Sequence, residues 1–181
     1  MTLTQLFGDI ADKAAGITAK ALGQERVSQY ANKDPNNGYA CFFTCYYMYF
    51  RTVYGYSQTW SEYKAACVKL GAMREDFKIL DRSKMAAAAG QRLVSKETAS
   101  KLREKIYELL LQNKPIPFAL NNGQHFESID GFTVENGKLV FTIDDPGPNN
   151  DTRADAETLT VYSAAGKKSG TITKVYWLEA K

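Results

Sequence analysis

From Cys41 to Tyr54 the chain is apolar or aromatic at nearly every position. The run is longer than most strands, so it reads as a helix. A helix that is hydrophobic all round must be covered on every side. Whatever fold the chain adopts has to wrap other elements around this one. The loop before it, Asn32-Lys33-Asp34-Pro35-Asn36-Asn37-Gly38, is turn-forming by composition.

The helical signals lie in the first two thirds of the sequence. Leu3, Leu6, Ile10, Ala14, Ile17 and Leu22 follow helical spacing, with Gly23 as a stop. Thr59-Trp60-Ser61-Glu62 is a capping box and opens a helix ending at Gly71. Met85–Ala89 reads as a short helix stopped by Gly90, and Ser95 as the cap of a helix reaching about Gln112. After Pro115 the texture turns to strands: 116–120, 125–134, 138–143, 158–162 and 171–178, with Asn136-Gly137 as a hairpin turn. Helices first and then a meandering antiparallel sheet make an α+β layout. We divide the 181 residues into an N-terminal amphipathic helix or arm, 1–24, and one domain, 25–181.

Composition excludes several function classes. The net charge is +3, and basic residues are interleaved with acidic ones, so no nucleic acid is expected as a partner. No stretch approaches the roughly 18 apolar residues of a membrane span. Residues 1–20 carry Asp9, Asp12 and Lys13 inside their apolar pattern, unlike a secretory signal, so a cytoplasmic location is expected. Three cysteines and a single histidine fit neither a disulfide framework nor a zinc site, and no cofactor or metal is expected.

The same scarcity narrows the chemistry. Cys41 sits where the buried helix begins, and the unpaired N–H groups and positive dipole end there favour a thiolate. Cys45 and Cys67 lie further inside helices and read as small core residues. His125 is the sole histidine and the one candidate for a base. An orienting carboxylate for its other nitrogen would come from Asp144 or Asp145, at the end of the strand after the hairpin. Neighbouring strand residues face opposite ways, so only one can serve, and Asp145 shares parity with Leu139, Phe141 and Ile143. For an oxyanion the Cys41 N–H offers one donor. A side-chain amide offers a second, with Gln29 preferred over Gln24 and Gln124.

Cys41-Phe42-Phe43-Thr44-Cys45-Tyr46-Tyr47-Met48, His125 to Gly131, Asp145-Pro146-Gly147 and the upstream Gln29 together resemble the motifs of papain-like cysteine peptidases of the bacteriocin-processing type. Those peptidases cleave leader peptides after double glycine. The resemblance spans roughly residues 27–178. It implies a papain-like fold, a Cys41–His125–Asp145 triad with Gln29 at the oxyanion, and a peptide or protein substrate. Three features depart from the pattern. Phe42 stands where Gly or Glu is usual, Glu127 stands where an apolar residue is usual, and the gap from Gln29 to Cys41 is longer. The expected activity is a cysteine peptidase or amidase. A transglutaminase or deamidase uses the same triad with another acceptor, and a non-catalytic peptide-binding module would keep the cleft alone.

Overall fold

In the computed structural model, which describes residues 19–31 and 33–181, helix α1 (Cys41–Tyr54) is buried from Phe42 through Phe50. Gly55 ends it in the left-handed conformation at φ 63°, where a Cβ would be strained, and the Tyr56 N–H closes the end on the Phe50 carbonyl at 3.2 Å. Helix α2 (Trp60–Lys69) starts at the capping box: Thr59 Oγ1 accepts from the Glu62 N–H, and the Glu62 carboxylate accepts from the Thr59 N–H. Helix α3 (Arg82–Ala88) is capped by Asp81, which accepts from the N–H groups of Ser83 and Lys84. Helix α4 covers Leu102–Leu111.

The strands are β1 (Ala19–Ala21), β2 (Leu93–Thr98), β3 (Ile116–Leu120), β4 (His125–Glu135), β5 (Lys138–Asp144), β6 (Asp151–Asp155), β7 (Thr160–Ser163) and β8 (Lys168–Ala180). All pairings are antiparallel. Running β4-β3-β8-β7-β6-β5, the sheet returns to β4 through the β4–β5 hairpin and closes into a six-stranded barrel. Strands β1 and β2 are added to it, on β4 and β8 respectively.

Closure overturns the expected papain-like α+β fold, in which a meandering sheet followed the helices. The strand signals at 116–120, 125–134, 138–143, 158–162 and 171–178 were correct in kind. What they did not carry was the pairing of β3 with β8, Phe118 opposite Val175, and the extra strand β6, which together seal the ring. Two local expectations are also corrected. Ser95 caps no helix: it lies in β2, opposite Leu178, with its hydroxyl against Tyr46 Oη at 2.9 Å. The N-terminal helix expected over residues 3–22 does not reach Leu22, because residues 19–21 are β1, hydrogen-bonded to Gly131–Thr133. Residues 3–18 lie outside the described part.

Alternation along the strands sorts side chains into two cores. Phe118, Ile129, Phe132, Phe141, Val161 and Val175 fill the barrel, with Ile106, Leu109 and Leu110 of α4 packed alongside. Ala119, Tyr176 and Leu178 face out and meet α1, α2 and α3. The second core is aromatic: Phe43 stacks on Tyr63 at 4.9 Å and meets Trp60 edge-on at 5.0 Å. Full burial of one such ring contributes roughly 1.5–3 kcal/mol. The barrel thus holds α1 rigidly against its outer wall, with the first residue of that helix beside the start of β4.

Candidate active site

Three polypeptide ends converge there. Cys41 is the first residue of α1 and is partly exposed. His125 is the first residue of β4, delivered by the tight turn Asn121–Gly123, in which Asn122 adopts φ 59°. Asp145 follows the last residue of β5. The Asn136-Gly137 turn (φ 51° and 74°) sets the hairpin register that puts Ser128 opposite Asp144 and brings Asp145 back to His125.

His125 Nε2 lies 2.7 Å from Asp145 Oδ1. The Cys41 thiol is within hydrogen-bonding reach of the same ring, and Nδ1 is the nitrogen left to it. Burial pushes the imidazole pKa down. The Asp145 and Cys41 hydrogen bonds and charges outweigh it and raise the pKa to about 10. Asp145 is fully buried. Burial alone would raise its pKa. His125 and the backbone N–H groups of Gly147 (2.7 Å) and Asp151 (3.4 Å) more than reverse this, holding the carboxylate below its ordinary value.

Asp144, the alternative partner, turns elsewhere. Burial and the nearby Asp130 carboxylate raise its pKa to about 7 against the opposing Arg26 charge. Cys45 and Cys67 are buried, and burial pushes Cys45 well up and Cys67 up to about 12.

Gln29 is buried, and its Nε2 donates to the Asn37 carbonyl at 2.8 Å, which leaves one amide hydrogen uncommitted. Its own N–H donates to the Pro146 carbonyl at 2.9 Å. Gln24 is buried with neither amide atom bonded among the described residues, and Gln124 is exposed. As the first helical residue, Cys41 has a backbone N–H without an intrahelical acceptor.

Sequence reasoning missed the strap that fixes Asp145. Arg26 Nε donates to the Asp145 carbonyl at 2.6 Å and Nη2 to the Gly147 carbonyl at 3.2 Å. Nothing in a lone arginine announces such a contact. It also missed why Gly147 is glycine: a Cβ there would stand 2.6 Å from His125 Cε1 and 2.7 Å from Nε2.

Beside Cys41 opens a hollow of about 190 Å³ lined by the rings of Tyr39, Phe42, Phe77, Phe126 and Tyr176 together with Ile79 and Arg82. The Phe42 ring is turned into this wall, edge-on to Phe126 at 4.9 Å and to Tyr176 at 5.1 Å. Arg82 is neutralised by Glu97 at 2.6 Å and lies over the Tyr176 ring. The wall is therefore apolar and aromatic, and its one cation is already paired.

A metal would find one cluster among the described residues: a His125 ring nitrogen and carboxylate oxygens of Glu127 and Asp145, all within 4.8 Å of one another. The Nε2 that a cation would need is already committed to Asp145. No helix among the described residues is long and apolar enough to cross a membrane.

Neither a protein-family model nor a curated protein matches the chain. Among solved structures, UfSP from C. elegans superposes with a TM-score of 0.44 at 14% identity, covering 86% of this chain. The match takes in 32% of that protein's length. These comparisons lend no support to the resemblance to bacteriocin-processing peptidases.

Proposed function

We propose that the chain is a cysteine hydrolase acting on peptide or amide bonds, with Cys41 as nucleophile, His125 as acid and base, and Asp145 as the group that orients the imidazole. One observation carries the reading. The sole imidazole is anchored at 2.7 Å on a buried carboxylate while a helix-opening thiol lies within its reach at the edge of an open hollow.

The mechanism follows from these groups. The Cys41 sulfur attacks the carbonyl carbon, its proton residing on His125. The carbonyl electrons move to oxygen, where the Cys41 N–H and the remaining Gln29 amide hydrogen meet the developing charge. A donor so placed typically contributes about 10²–10³ in rate. His125 then passes its proton to the leaving nitrogen, the C–N bond breaks, and a thioester remains on Cys41. Water attacks the thioester carbonyl as His125 takes a proton from it, the C–S bond breaks, and the acid leaves with the Cys41 thiolate and the His125 imidazolium restored. Asp145 stays ionised and holds the imidazolium in place. An apolar side chain next to the reacting carbonyl suits the aromatic hollow.

Trapping the thioester tests this reading. With an activated ester of an apolar acyl amino acid, intact-mass analysis should show one acyl group on Cys41 that decays with release of acid. Cys41→Ala should show none. An adduct that survives in Cys41→Ala, or none in the wild-type chain, contradicts it.

A further inference from the structure

A second pair of carboxyl groups lies beneath His125, and the mechanism above does not use it. Glu127 is two residues along β4 from His125 and so points the same way, toward the mouth of the barrel. Its strand partner is Phe118, in the barrel core. Glu127 is fully buried, with Oε1 3.8 Å from His125 Nε2. Both its oxygens, and Asp151 Oδ2, are buried and meet no N–H or O–H donor among the described residues.

Among the described residues, the titratable groups that act on Glu127 are His125, Asp145, Asp151 and the buried Cys45 thiol of α1. Asp145 and Asp151 face it from the ends of β5 and β6. Ser169 on β8 donates its hydroxyl to Asp151 Oδ1. No lysine or arginine is bonded to these carboxylates among the described residues. The Asp151 side chain lies within hydrogen-bonding distance of Glu127. Carboxyl against carboxyl, that contact is a hydrogen bond only when one of them carries a proton. The Ser169 hydroxyl stabilises a charge on Asp151, whereas Glu127 has no donor among the described residues, so the proton belongs on Glu127. An ionised Glu127 would sit without a donor in an apolar setting between two other anions.

We propose that Glu127 is a positioning residue that works as a neutral acid, keeping its proton and donating a hydrogen bond through it to Asp151, so that Asp145 is the one anion facing His125 Nε2. Burial, reinforced by the Asp151 contact and the Asp145 and Asp151 charges, raises its pKa to about 10. The bond has a route to the site. Asp151, held by Glu127 and Ser169, donates its backbone N–H to Asp145 Oδ2. Glu127 thus acts on Asp145, and through it on the ring.

The effect on rate rests on the hydrolase reading, but the protonation can be measured without it. In a wild-type chain carrying ¹³C at the glutamate side-chain carboxyl, one carbon should keep its protonated shift at neutral pH, and that signal should be missing from Glu127→Gln. The His125 titration in Glu127→Gln should stay within about half a pH unit of wild type, one neutral group having replaced another. Glu127→Ala, which has no donor for Asp151, should slow Cys41 acylation about fivefold, the scale of one ordinary hydrogen bond. Glu127→Gln should recover most of that rate. If every glutamate carboxyl is ionised at neutral pH, the proposal is overturned. A fall of about one unit or more in the His125 pKa of Glu127→Gln would also overturn it, because it would reveal a charge at 3.8 Å. A His125 titration that moves on treatment with a chelator would replace the shared proton with a cation and count against it equally.

Discussion

In the proposed hydrolase His125 is both acid and base, and as the chain's single histidine it is directly observable. Its pKa is raised from 6.5 to about 10, so its ring should stay protonated through neutral pH. An NMR titration of the imidazole should give a midpoint well above that of a free histidine. Asp145→Asn should lower it, and Cys41→Ala should lower it too. The linkage has a definite sign. Because the folded value lies above the unfolded one, the stability this group contributes is fully present below about pH 6.5 and is lost as pH rises toward 10. A midpoint at or below 6.5 would mean the ring has neither partner. Much of this site was legible residue by residue, since one histidine and one helix-opening cysteine left few ways to assemble a Cys–His pair. Glu127 was visible only as a departure from a motif. Its parity with His125 on an expected strand was the available signal. Its burial depends on barrel closure, which no local pattern reports.

Each element contributes one end to the site, and the elements differ in how openly the sequence declares them. Helix α1 is written in an unbroken apolar run and α2 in its capping box, because burial and capping act on neighbouring residues. Strands β1, β2 and β6 are not written locally. Ala19-Lys20-Ala21 and Asp151-Thr152-Arg153-Ala154-Asp155 have poor intrinsic strand preference and are strands because a partner edge is waiting for them. The turn after β5 offers the sharpest test at this scale. Gly147→Ala needs no unusual backbone, yet its new methyl would fall 2.6 Å from His125 Cε1 and 3.0 Å from Asp145 Oδ1, so the ring must move. Acylation of Cys41 should drop about 100-fold, the usual cost of misplacing a catalytic group by an ångström, and the His125 midpoint should fall with it. Unchanged acylation would show that the ring does not need this seat.

At the scale of the molecule, the barrel supplies rigidity and the aromatic layer supplies the hollow. Neither can be read from periodicity, because closure depends on which distant strands pair: Phe118 with Val175, Phe141 with Ala154, Val161 with Gly170. Helix order and strand order suggested an α+β sheet, and the pairings made a barrel instead. That barrel fixes β4 and the end of β5 on one side and α1 on the other, so the thiol and the imidazole meet only in the folded chain. The most direct measurement is the rate of iodoacetamide alkylation at mildly acid pH, mapped by mass spectrometry, for the wild-type chain and His125→Ala. The wild-type chain should react at Cys41 and not at the buried Cys45 or Cys67, and His125→Ala should react about two orders of magnitude more slowly. Equal rates in the two chains, or modification at Cys45 or Cys67 instead, would contradict the pairing of thiol and imidazole.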